Sequence, residues 1–185
     1  MTKTNFILLF FLIASAQLLV SCGGKDESCE KDACCAPATD EDRVAIAGLL
    51  DSLNIAAANA DYNTYFSYYT DDAVFIGTDA TENWNKQEFM EWSKPYFDKG
   101  KAWSFKSIER NIYFHNTGDL AWFDELLDTQ MKICRGSGVV VKRDGQWKIQ
   151  QYVLSMTIPN AMVDSVVAIK TAEEDSLMNT IRINP

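Results

Sequence analysis

From Ile46 the apolar residues return at three- and four-residue steps, through Leu49, Leu50, Leu53, Ala57 and Ala60, which places them on one face of a helix. Asp40 or Asp42 stands where its cap belongs. Asp61 opens a second, shorter helix with Tyr62, Tyr65, Phe66 and Tyr69 at the same spacing, so its buried face is aromatic. The acidic pair Asp71-Asp72 ends it, and residues 73–77 then read as a short strand. Asn85 and Glu88 are spaced as a capping box, in which each side chain satisfies the other's free backbone N–H. They predict a third helix that buries Phe89 and Trp92 and is ended or kinked near Lys94 by Pro95. The remainder alternates as strands. Residues 103–114 and 120–128 form a hairpin around the turn at 116–119, and residues 135–142 and 147–158 form a second around Asp144-Gly145, a dipeptide suited to the positive φ of a tight turn. A last helix over 161–178 carries Met162, Val166 and Ile169 at helical spacing.

Ahead of these elements the pattern changes. Residues 6–20 are almost uninterruptedly apolar, follow a lone Lys3, and fall short of the roughly 20 residues a helix needs to cross a bilayer. That is the pattern of a secretory signal, not of a span. Leu19, Ser21 and Cys22 resemble the bacterial lipobox, whose cysteine is lipidated and becomes the new N-terminus. The resemblance implies that residues 1–21 are removed and that Cys22 holds the chain to a membrane by lipid, palmitate included, with no further hydrophobic segment. Gly23-Gly24 lacks the acid that retains enteric lipoproteins in the inner membrane, and Lys25-Asp26-Glu27 resembles the export signal of Bacteroidetes surface lipoproteins. The expected address is the outer membrane, facing the periplasm or the outside. Residues 22–42, poor in large apolar side chains, read as an acidic tether, and residues 43–185 as a single domain.

The chain carries a formal charge of -9, and the signal segment removes a lysine but no acid. Such a balance excludes nucleic acid as a partner, because phosphate binding draws its affinity from clustered Lys and Arg. Cys29, Cys34 and Cys35 fall in the tether and Cys134 far downstream. An exported compartment permits disulfides, whereas the spacing matches no zinc pattern and no histidine lies near. A bridged pair in the tether is expected, with the third cysteine left over or reaching Cys134. No metal or cofactor is expected.

Helices segregated ahead of an antiparallel sheet define an α+β domain in which a curved sheet wraps the helices. Asp71-Asp72-Ala73-Val74-Phe75, Gly118-Asp119-Leu120-Ala121-Trp122, and the run Gly138 to Lys142 with Asp144-Gly145-Gln146-Trp147-Lys148-Ile149 resemble the SnoaL-like branch of the nuclear transport factor 2 (NTF2) superfamily over residues 45–158. The resemblance implies an NTF2-like cone with a cavity between helices and concave sheet, homodimers formed through the sheet, and uses ranging from isomerase and dehydratase chemistry to plain ligand binding.

The candidate site follows from strand parity. On the last strand Trp147, Ile149, Gln151, Val153 and Ser155 share a face, and the resemblance turns that face inward, bringing Gln151 and Ser155 to the cavity as ligand-binding residues with Tyr65 and Trp84. On the facing strand Asp124 and Glu125 point to opposite sides, and the pattern leaves open which is inside. Whichever is buried needs a cation, for which Arg135 is the candidate, or a proton. As catalysts, Asp124 or Glu125 would act beside Arg135 and Tyr152; as structure, they tie strands together. In the ketosteroid isomerase branch the resemblance places the general base near Gly77 and the oxyanion-hole tyrosine near Leu53, neither of which can do the chemistry unless Asp79 substitutes. His115, the sole histidine, ends a strand beside a turn and reads as a solvated turn residue. The expected function is binding of a small apolar or aromatic molecule at the cell envelope. A lyase or isomerase using a buried carboxylate, or a partner-binding module, are the alternatives.

Overall fold

Helix α1 (Asp40–Ala58) is opened by Thr39, not by either aspartate. In the computed structural model, which describes residues 37–183, the Thr39 hydroxyl accepts from Asp42 N at 3.3 Å and the Asp42 carboxylate accepts from Thr39 N at 3.1 Å, a reciprocal capping box. The same carboxylate accepts Lys142 Nζ at 2.7 Å and Trp147 Nε1 at 2.9 Å, which ties the helix start to the distant hairpin. The packed domain therefore includes residues expected to be tether. The signal segment, Cys22, the export signal and the cysteines at 29–35 lie outside the described residues.

The Lys142 hydrogen bond leads in holding the Asp42 carboxyl at about 2, against an ordinary value of 3.8. A folded-state value below the unfolded one stabilises the fold at neutral pH, and this contribution disappears as pH falls from 3.8 toward about 2. Asp42→Asn is expected to cost on the order of 1–2 kcal/mol at pH 7. Urea denaturation at several pH values should show the difference from the parent shrinking across that acid window. A gap that persists unchanged in acid contradicts the linkage.

Helix α2 (Tyr62–Ser67) starts at Asp61, whose Oδ1 accepts from Thr64 N at 3.1 Å, and ends before Tyr69, which begins strand β1 (Tyr69–Ile76). The exposed pair Asp71-Asp72 thus sits within a strand and does not terminate a helix. Pairing with the last strand is irregular between Tyr69 and Val74, and that irregularity lets two consecutive acids both face water. A short strand β2 (Asn83–Asn85), absent from the sequence reading, leads into α3 (Lys86–Asp98). The expected capping box is there, with Asn85 N to Glu88 Oε2 at 2.9 Å and Glu88 N to Asn85 Oδ1 at 3.0 Å. Helix α3 passes through Pro95 and continues to Asp98, because Pro95 lies on the exposed side where water can take the unpaired carbonyl. Phe89 and Phe97 are buried, while Trp92 is 40% exposed and not the core residue expected.

Strands β3 (Lys106–Phe114), β4 (Leu120–Thr129), β5 (Lys132–Arg143) and β6 (Gln146–Met156) complete a six-stranded sheet of order β2-β1-β6-β5-β4-β3. All neighbours are antiparallel except β1 and β6. Asp144 and Gly145 both have positive φ, 50° and 76°, as a two-residue hairpin turn demands. Ile46, Leu50 and Leu53 of α1 are buried in one core with Phe66, Phe89, Leu127 and Ile149. The other face of the sheet, where a second copy is expected, exposes Tyr113 and Trp122 stacked at 6.0 Å. Helix α4 (Val163–Ile183) follows a short 3-10 turn (Asn160–Met162), runs further than expected, and buries none of its side chains.

Candidate functional site

Strand β4 decides between the two acids. Ala121, Phe123, Glu125 and Leu127 are buried and point inward, while Trp122 is exposed and Asp124 and Leu126 are half-buried on the opposite face. Glu125 retains 1% of its exposure. Its cation is Arg110 and not Arg135. The β3–β4 register sets Arg110 directly opposite Glu125, and Nε and Nη2 donate to Glu125 Oε2 at 2.9 and 2.8 Å. Arg110 also donates to Ala47 O at 3.0 Å and meets the exposed Asp51 at 2.9 Å. Arg135 stands across from Leu126, on the outer side, and bonds Asp124 at 3.1 Å. The remaining Glu125 oxygen accepts from Tyr152 Oη at 3.2 Å. Burial, with the charge of Glu125 added to it, pushes the Tyr152 hydroxyl well above the usual phenol range, so it stays protonated and donating.

Strand β6 does not keep one parity. The β5–β6 register slips between Val139 and Val140, opposite Gln151 and Ile149, leaving Gln150 as an extra residue. One extra residue exchanges the two faces of everything beyond it. Trp147 and Ile149 are inward as expected, but past the bulge Tyr152 and Leu154 take the buried positions. Gln151 and Ser155 are accordingly not cavity residues; Gln151 is half-buried and Ser155 exposed.

Between the helices and the sheet lies a cavity of about 180 Å³. Tyr65 and Trp84 line it, as does Tyr152. One wall is a set of nearly parallel rings: Phe75 lies 3.9 Å from Phe89 at 11°, Trp84 lies 5.9 Å from Phe89 at 4°, and Phe75 lies 5.9 Å from Tyr152 at 4°. Tyr65 meets Trp103 edge-on at 5.4 Å and bonds Tyr69 through the hydroxyls at 3.0 Å. Burial raises both of these phenols. Leu53 and Gly77 are also in the lining, but Asp79 is not; its exposed carboxylate is held by Thr81 N at 2.9 Å. His115 is exposed, its Nδ1 2.8 Å from Thr117 Oγ1 in the turn.

The sequence reading missed Asn54, Glu82 and Gln130 among the polar lining residues. Asn54 shares its helix with Leu53, one position round from the apolar stripe, so a wider face would have included it. Glu82 and Gln130 sit in connections between strands, where periodicity carries no information. Among the described residues no three His, Cys, Asp or Glu side chains gather as a metal site.

The profile of the SnoaL-like domain family matches residues 46–159. The chain belongs to the SnoaL-like family. No curated protein matches it. Among solved structures, a domain of unknown function with a cystatin-like fold from Nostoc punctiforme is similar at 17% identity and TM-score 0.60, over 80% of this chain and 98% of that one. An NTF2-like protein of unknown function from Pseudomonas putida is similar at 16% identity and TM-score 0.56, over 66% and 92%. A proposed dehydratase of the NTF2-like family from Streptomyces avermitilis is similar at 12% identity and TM-score 0.56, over 65% and 99%. At these identities the likeness establishes the shared cone alone. In this SnoaL-like domain the two chemical features of the interior are separate: the aromatic cavity, and behind its Tyr152 wall a carboxylate whose charge is already answered.

Proposed function

We propose that this SnoaL-like domain is a binding module for a small, flat, largely apolar ring compound. The observation that carries the reading is the place of Glu125. It is absent from the cavity lining, and both its oxygens are taken by Arg110 and Tyr152, so the buried carboxylate holds strands together and is not free to move a substrate proton. The cavity is comparable in size to the apolar cavity of about 150 Å³ that accepts benzene, and its parallel rings favour a planar guest. This ranks binding above the lyase or isomerase alternative built on that buried carboxylate, which requires Glu125 to be within reach of the ligand.

Titrating the full-length protein with benzyl alcohol, followed by tryptophan fluorescence, is expected to give saturable binding. Trp84→Ala should weaken it about tenfold by removing one stacked wall. Absence of binding by the parent, or an affinity untouched by Trp84→Ala, overturns the reading.

The location is part of the same proposal. The apolar segment, Ser21-Cys22 and Lys25-Asp26-Glu27 support a lipid-anchored protein of the outer membrane. Among the described residues no helix is long and apolar enough to cross a membrane. Cys22→Ala should release the protein from the membrane fraction, and retention of the mutant in that fraction contradicts the anchor.

A further inference from the structure

Among the described residues the only charged side chain in the cavity lining is Glu82, and the chain shapes itself to hold it there. Strand β1 ends at Ile76 and a tight connection returns to β2, closed by Gly77 N to Glu82 O at 2.9 Å and Glu82 N to Asp79 O at 3.0 Å. The carboxylate is fixed from within this turn, since Glu82 Oε2 accepts from Asp79 N at 3.1 Å. It lies over Gly77 so closely that a Cβ at that position would be 2.1 Å from Oε2. A glycine there leaves the acid room to fold against the lining.

Opposite charge is missing among the described residues: neither Lys, Arg nor His is in the lining. The rest of the lining is ring faces with a few neutral polar groups, among them Asn54, which is 8% exposed. The face of an aromatic ring is the negative end of its quadrupole and attracts cations. A carboxylate, ring faces and a chain of net charge -9 therefore all favour the same sign of guest.

Building on the binding reading above, we propose that the ligand is a ring compound bearing an ammonium group, its ring between the aromatic walls and its cation against Glu82. An anionic ring, such as an aromatic carboxylate, meets repulsion from Glu82 and from the ring faces and has no cation to pair with among the described lining residues.

The test compares benzylammonium, benzyl alcohol and benzoate, three probes of one size and three charges, on the full-length protein by calorimetry at low salt. Benzylammonium should bind about tenfold more tightly than benzyl alcohol, benzoate most weakly, and the preference should shrink as salt is added. Two variants check the assignment. Glu82→Gln removes the charge but keeps the hydrogen-bond acceptor, and Gly77→Ala keeps the charge but pushes the carboxylate aside. Each should bring the benzylammonium to benzyl alcohol ratio toward one. Equal binding of the three probes, or a ratio that either variant leaves unchanged, overturns the ligand class while the binding module stands. Failure of all three probes to bind overturns both.

Discussion

Arg110→Met is expected to destabilise the domain by about 3–5 kcal/mol, and adding Glu125→Met in the same chain to restore most of the loss. The argument rests on what each substitution leaves behind. Glu125 is 1% exposed, and two of its three hydrogen bonds come from Arg110. Removing the arginine strands a carboxylate in a low-dielectric interior, where it must either stay charged without a partner or take up a proton. Removing both replaces an ion pair by two apolar chains of similar length, which is often neutral because the desolvation cost of both charges disappears with their attraction. Recovery should be incomplete by about 1 kcal/mol, since Tyr152 Oη loses its acceptor. Urea denaturation of the four members of the cycle measures this. A double variant no more stable than Arg110→Met would mean that the pair is worth more than its desolvation and that its role in the fold has been misread.

The second large effect falls on a glycine. A Cβ on Gly138 would lie 2.1 Å from the Gln151 carbonyl oxygen and 2.9 Å from the Phe123 ring, so Gly138→Ala must push apart two strands of the sheet at the point where β6 is bulged. Backbone cannot swing aside as a side-chain tip can, and the cost is expected to be about 3 kcal/mol or more. The same substitution at Gly48, exposed in the middle of α1 with nothing within 4 Å of the added carbon, reverses sign and should stabilise by about 0.5–1 kcal/mol. Thermal unfolding of the two variants side by side tests the contrast. If Gly138→Ala melts with the parent, the close approach of β5 and β6 is not what constrains that position.

The cone was legible because its elements carry strong local signals: the three- and four-residue rhythm of α1, the Asn85 and Glu88 capping box, and the Asp144-Gly145 turn all recur in the structure. The site was legible only in part. Tyr65 and Trp84 reach the cavity, but Gln151 and Ser155 were placed by assuming unbroken alternation along β6. The warning lay in the sequence itself, where Trp147 and Ile149 are out of phase with Tyr152 and Leu154, separated by two adjacent glutamines. The partner of Glu125 was also within reach. Counting outward from the turn at 116–119 pairs Phe114 with Ala121 and so Arg110 with Glu125, whereas Arg135, the expected cation, pairs with Leu126 on the outer face. Glu82 was beyond such counting, because its place depends on a turn closing over Gly77 and on nothing periodic.

The bulge at Gln150 has a consequence for how such an interior can change. Deleting that one residue would, by parity alone, leave a regular strand with Ile149, Tyr152 and Leu154 still facing inward, because the residue removed is the one the ladder leaves out. Drawing Gln150 into the ladder instead would turn the outer half over, and a phenol and an isobutyl group would give way to a carboxamide and a hydroxyl, with neither the helices nor the order of the strands altered. The lining is thus written in two alternative alphabets on a single strand, and whether Gln150 is bulged or paired, not the identity of any side chain in it, selects which is read.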